Sequence, residues 1–176
     1  MQKIFMLCLV GALALATTSC KEDKKTITLQ TITVNGQMYE VKSAFYADEP
    51  ADAEDEAAFE LGLFPTELTA VPEEEPDFYV TIDMSESLYG KTIDLTKPLV
   101  QGTMPWPYLC ITAKNGSSKI SIDFDEDWIA GKVTAGKLTV TKNGDKFTVE
   151  LSVTLSDGQF ISAAWTGKAT KMEIPG

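Results

Sequence analysis

Three Asn-Gly dipeptides, at Asn35-Gly36, Asn115-Gly116 and Asn143-Gly144, each stand between two β-rich runs, and no other feature narrows the fold so far. Asn-Gly is the strongest short-range hairpin signal, because both central residues of a type I′ turn need positive φ. The first hairpin is expected to run from Thr26 to Val34 and return from Gln37 to Tyr46. The second runs from Trp106 to Lys114 and returns from Ser117 to Asp125. The third runs from Gly136 to Lys142 and returns from Asp145 to Leu155, after which Asp157-Gly158 opens a further strand ending near Thr170. The chain is read as antiparallel β throughout.

Register sharpens that reading. A two-residue loop at Asn143-Gly144 sets Lys142 opposite Asp145, Val140 opposite Phe147 and Leu138 opposite Val149, on an apolar face continued by Leu151, Val153 and Leu155. A two-residue loop at Asp157-Gly158 turns Trp165 away from that face. A three-residue loop Ser156-Asp157-Gly158, with Gly158 left-handed, instead aligns Val153 with Ile161, Leu151 with Ala163 and Val149 with Trp165. The longer loop is the expected one, since a change of parity exchanges the two faces of a strand.

Between the first and second hairpins, Phe78, Val80, Ile82 and Met84 alternate, and a short strand carries Ile93 and Leu95 inward. The total is about eight or nine strands at the spacing of an all-β sandwich or flattened barrel. The segment from Ala47 to Pro76 breaks the pattern, being rich in Asp and Glu, devoid of Lys and punctuated by Pro50, Pro65, Pro72 and Pro76. Ala53 to Leu61 is expected to form a short helix whose acidic start suits the positive end of the helix dipole. The rest of this acidic insertion, residues 47–76, is expected to be solvated loop.

The first 19 residues have a different grammar. Lys3 precedes an apolar run from Ile4 to Ala16, then Thr17, Thr18 and Ser19 lead to Cys20, and every acidic residue of the chain lies beyond that cysteine. A basic start, a short apolar run and small residues before a cut site describe an export signal, and the run is too short to span a bilayer as a helix. The cysteine after small residues resembles the lipobox of bacterial lipoproteins, with Thr17 standing where Leu or Val is commoner. That resemblance implies a covalent lipid on Cys20, the membrane as partner through that anchor, and residues 20–25 as a tether. Two or three acyl chains anchor stably where one is marginal. Lys21, Glu22 and Asp23 resemble the export tag of Bacteroidetes surface lipoproteins, which implies an outer-membrane protein facing the cell surface, a periplasm-facing one being the alternative. Residues 26–176 are then one domain.

Composition removes many functions. The 176-residue chain has no His, and its 15 basic residues are all Lys, against 26 Asp plus Glu. Without His there is no Ser-His or Cys-His pair and no imidazole metal ligand. A net charge of −11 and the lack of Arg turn the reading away from nucleic acid. Cys8 leaves with the leader and Cys20 is acylated, so Cys110 alone remains, and one cysteine makes no intrachain disulfide. No phosphate loop or paired-cysteine motif occurs, and the expectation is a protein that is not an enzyme. A carboxylate-based glycoside hydrolase needs only two acids at a suitable separation, and the sequence does not single out a pair.

The sharpest candidate site lies on the second hairpin. A two-residue loop at Asn115-Gly116 sets Ile111 opposite Ile120 and Leu109 opposite Ile122. Trp106 and Tyr108 then share the other face with Asp125 and Asp123. Aromatic rings beside carboxylates suit a glycan, whose C–H faces stack on the rings while its hydroxyls donate to the acids. The plainer reading is that another segment covers both rings. Pro105 and Pro107 suggest an edge strand at Trp106 to which an envelope protein could add. Asp123, Asp125 and Asp127 begin like an EF-hand loop, but Trp128 and Thr134 occupy the positions that need Gly and Glu. A looser calcium site would use Asp123, Asp125, Glu126 and Asp127, against the plainer reading of a strand running into an acidic turn.

The stretches Gly136 to Val149, Thr154 to Gln159 and Trp165 to Lys168 are similar to the closing meander of small Bacteroidetes surface lipoproteins, and Gly90 to Thr96 and Asn35 to Tyr39 fit the same pattern. The resemblance implies the fold and the compartment and supplies no catalytic residue. The sequence thus leads to a lipid-anchored envelope protein acting as a non-catalytic binding module, with glycan or an envelope protein as its partner.

Overall fold

The computed structural model describes residues 29–70, 72, 74–99, 104–124 and 131–172. The leader, Cys20, the tether, and Asp125, Glu126 and Asp127 lie outside the described residues. The strands are β1 (Thr31–Val34), β2 (Gln37–Glu40), β3 (Ser43–Glu49), β4 (Ala58–Phe64), β5 (Phe78–Ser85), β6 (Ile93–Asp94), β7 (Leu109–Asn115), β8 (Ser118–Asp123), β9 (Val133–Asn143), β10 (Lys146–Leu155), β11 (Phe160–Lys168) and β12 (Thr170–Lys171). They form two six-stranded sheets, in the orders β2-β1-β11-β10-β9-β6 and β12-β3-β4-β5-β7-β8. Pairing is antiparallel except where β12 runs parallel to β3. The two sheets pack as a β-sandwich and do not close into a barrel.

Alternation builds the core. Phe78, Val80, Ile82 and Met84 all point inward from β5, and Leu138, Val140, Phe147, Val149, Leu151 and Val153 face them from β9 and β10. Burying each such side chain contributes about 1.5–3 kcal/mol. The β10–β11 register pairs Val149 with Trp165, Leu151 with Ala163 and Val153 with Ile161, as the three-residue loop requires, and Gly158 takes a φ of 87°.

The other two turns differ from expectation. β9 and β10 pair Asn143 with Lys146 and Val140 with Val149, so the loop is Gly144-Asp145, and Lys142 stands opposite Phe147 rather than Asp145. β7 and β8 pair Asn115 with Ser118 and Ile111 with Ile122, so that loop is Gly116-Ser117. Gly116 and Gly144 have φ of 58° and 62°, and no non-glycine partner in either loop has positive φ. That is the glycine-first pattern of a type II′ turn. Only Asn35 (φ 50°) and Gly36 (φ 83°) form the left-handed pair of a type I′ turn, closing β1 onto β2 with Val34 opposite Gln37. Moving a turn by one residue shifts the partner strand by two, which preserves parity, so every apolar residue keeps its face.

The acidic insertion is the larger correction. Ala58–Phe64 is not part of a helix but the strand β4, hydrogen-bonded between β3 and β5 in the middle of the second sheet. Phe59, Leu61 and Leu63 enter the core from it, a period of two that outweighs the acidic start favouring a helix. The residues before it are also ordered. Asp52 Oδ1 accepts the amide hydrogens of Glu54 and Asp55, each at 2.8 Å, which makes an Asx turn. Farther on, Glu75 accepts from Lys119 Nζ and from the Tyr79 hydroxyl, both at 2.5 Å, and is so held against the outer face of the second sheet.

Candidate functional site

Because β4 is a central strand, its outward residues share a face with those of β5, β7 and β8. Glu60 pairs with Asp83, Asp83 with Cys110, and Cys110 with Asp123, which makes one row across four strands. Adjacent strands lie about 4.8 Å apart, and like charges directly opposite one another are destabilising. The row contains no Lys.

The cost is visible on Asp83. Partial burial pushes its carboxyl up to about 7, the charges of Glu49 and Glu60 push the same way, the Tyr108 hydroxyl opposes them, and Asp123 adds a further upward push. Its Oδ1 is buried and has no hydrogen-bond partner among the described residues. Glu60 is raised as well, first by desolvation and then by Glu49. The Tyr108 hydroxyl is raised by burial and by Asp83, so it remains a donor at every physiological pH.

Ser85 at the end of β5 sets Tyr108 in place. Its fully buried hydroxyl accepts from the Tyr108 amide at 2.7 Å, while its own amide donates to the Tyr108 carbonyl at 2.9 Å. Tyr108 then lines an open cavity of about 350 Å³ with Asp83, Glu49 and Ala58, walled on the far side by Pro50, Asp52, Asp55 and Glu56.

The residues singled out from the sequence divide. Tyr108 and Asp123 are on this face, both half-buried, but the shifted turn puts Asp123 opposite Cys110 and not opposite Tyr108. Trp106 is half-buried and does not line the cavity of Tyr108. It does not begin β7, and the edge that it was expected to leave open is taken. Its amide donates to the Glu54 carbonyl at 2.8 Å and its carbonyl accepts from the Glu56 amide at 3.2 Å, so the acidic insertion itself occupies the place of an added strand. Asp125 lies outside the described residues, as do Glu126 and Asp127 of the calcium candidate, and no described cluster of His, Cys, Asp and Glu is arranged to hold a metal.

Glu49, Glu60 and Asp83 were missed. For Asp83 the signal was present, since it alternates with Val80, Ile82 and Met84 and must point outward. For Glu60 it was hidden by reading its strand as a helix.

In comparisons with known proteins the chain matches no family model, no curated protein and no solved structure. The functional reading therefore stands on this face and on the leader.

Proposed function

We propose that the protein is an envelope lipoprotein, exported by residues 1–19, lipidated on Cys20 and held at the outer membrane facing the cell surface, whose sandwich is a non-catalytic module that binds a glycan. The basic start, apolar run and small residues before Cys20 support the first part. The observation that carries the second is the Tyr108 ring beside Asp83 in an open cavity floored by a sheet face. A ring face, a phenol donor and carboxyl acceptors are the groups that recognise a sugar's C–H face and hydroxyls.

Two measurements test the two parts separately. Radiolabelled palmitate is expected to enter the full chain and not its Cys20→Ala variant. On a glycan array the wild-type domain is expected to bind, with Tyr108→Ala and Asp83→Ala each losing about tenfold or more. Retained binding in both variants moves the site elsewhere.

A second reading has one observation behind it. Glu60 and Asp83 are cross-strand partners, and a protonated acid beside a second carboxyl is the pairing of a retaining glycoside hydrolase, where the two stand about 5 Å apart. Release of reducing sugar by the wild type and not by Asp83→Asn would replace binding with hydrolysis.

A further inference from the structure

The cavity of Tyr108 is not the whole of what this sheet face offers. On the other side of Glu60 the same sheet face carries a second hollow of about 340 Å³, lined by Phe64, Tyr79, Pro72, Pro76, Thr81 and Thr112. Glu60 belongs to this hollow and its cross-strand partner Asp83 to the first, so the two adjoin at that pair. Both run along β5. Tyr79 and Asp83 are four residues apart, about 13 Å along a strand.

The second hollow differs in chemistry. Its walls are Pro72 and Pro76 with the outer margins of the mostly buried Phe64 and Tyr79 rings, its floor carries the hydroxyls of Thr81 and Thr112, and its rim is the ion pair of Lys119 with Glu75. Apolar walls around a floor of hydroxyl groups suit a chain that carries both C–H faces and hydroxyls. An extended peptide would need free main-chain donors and acceptors, which sheets present at their edges. Here β4, β5 and β7 are each paired on both sides, so the floor has none to give.

We propose that the two hollows form one groove for an extended oligosaccharide, with the Phe64–Tyr79 hollow as a second subsite that holds the units beyond those at Tyr108. This rests on the glycan reading above and adds chain length and direction to it.

The test uses ladders of neutral β-1,4-glucan, α-1,4-glucan and β-1,4-mannan oligomers, from two units to about six, titrated calorimetrically against the whole mature protein. Affinity is expected to rise about tenfold or more with length. Thr81→Phe, which fills the floor of the second hollow, is expected to erase that rise while leaving the shortest oligomer's affinity unchanged. Thr112→Phe, on the neighbouring strand, blocks the same hollow independently should the first variant fold poorly. Equal affinity at all lengths in the wild type, or an equal loss at all lengths in a folded variant, overturns the second subsite while the first stands. No binding of any ladder at any length overturns both readings.

Discussion

Burial first, and the charges of Glu49 and Glu60 after it, raise the Asp83 carboxyl, and this has a consequence for stability. Its carboxyl is raised from an ordinary value of 3.8 to about 7 in the fold. Folding therefore favours the protonated form. The stability it confers is complete below about pH 4 and is lost as pH rises through about 7. Asp83→Asn keeps the shape and removes the titration. The variant and wild type are expected to melt alike at about pH 4, and at pH 8 the variant is expected to be more stable by about 1–2 kcal/mol, the full shift being reduced by water at the groove mouth. Thermal melts from pH 4 to 9 decide it; parallel curves would show that Asp83 ionises freely. Half of this site was legible beforehand. Tyr108 and Asp123 followed from alternation on one hairpin, whereas the row joining Asp123 to Glu60 crosses four strands and depends on which strands are neighbours, a fact set by the whole packing.

At the scale of elements, the three Asn-Gly turns are not alike. In the first, Asn35 is itself left-handed, and its Oδ1 accepts the Phe160 amide at 3.0 Å while its own amide donates to the Phe160 carbonyl at 2.8 Å. It ties the β1–β2 turn to β11. In the third, Asn143 ends a strand opposite Lys146 and has no left-handed φ. Asn35→Ala is accordingly expected to cost about 1–3 kcal/mol, for the strained φ and the lost hydrogen bond, and Asn143→Ala to stay within about 0.5 kcal/mol. Urea titration of both variants separates the cases, and equal losses would mean the turns share one geometry. The same contrast explains what could be read in advance. Faces were legible because parity is written in the alternation of Leu138, Val140, Phe147 and Val149. The pairing within a face was not, because a slip of two residues leaves each of them buried. Ala58–Phe64 was obscured for a different reason: the charge of the residues before it masked a short run whose role shows only once β3 and β5 flank it.

Across the whole molecule, one side chain links the two sheets by charge. Lys142 leaves β9 of the first sheet and its ammonium sits 2.5 Å from Asp48 on β3 of the second, with only 14% of the side chain exposed. The rings of Tyr46, Phe59, Tyr89 and Phe147 surround it, the nearest centroid 4.8 Å away. Lys171 on β12 holds the other oxygen of Asp48 at 2.9 Å. Partial burial works to raise the Asp48 carboxyl, but the hydrogen bonds from Lys142 and Lys171 outweigh it and keep it below its ordinary value. The stability from this clamp is therefore present above about pH 4 and lost as pH falls further. Lys142→Ala removes the ion pair, the cation–π contacts and the packed stem together, and is expected to cost about 2–4 kcal/mol at neutral pH. Lys142→Met keeps the stem against the four rings and is expected to cost about half as much, with a shallower loss of stability in acid. Because the clamp spans both layers, the loss should appear as a lower urea midpoint with an unchanged slope, one cooperative transition and not the release of a single sheet. A midpoint in Lys142→Ala equal to that of the wild type would reduce the clamp to a surface ion pair of no consequence, and the sandwich would then be held by its apolar faces alone.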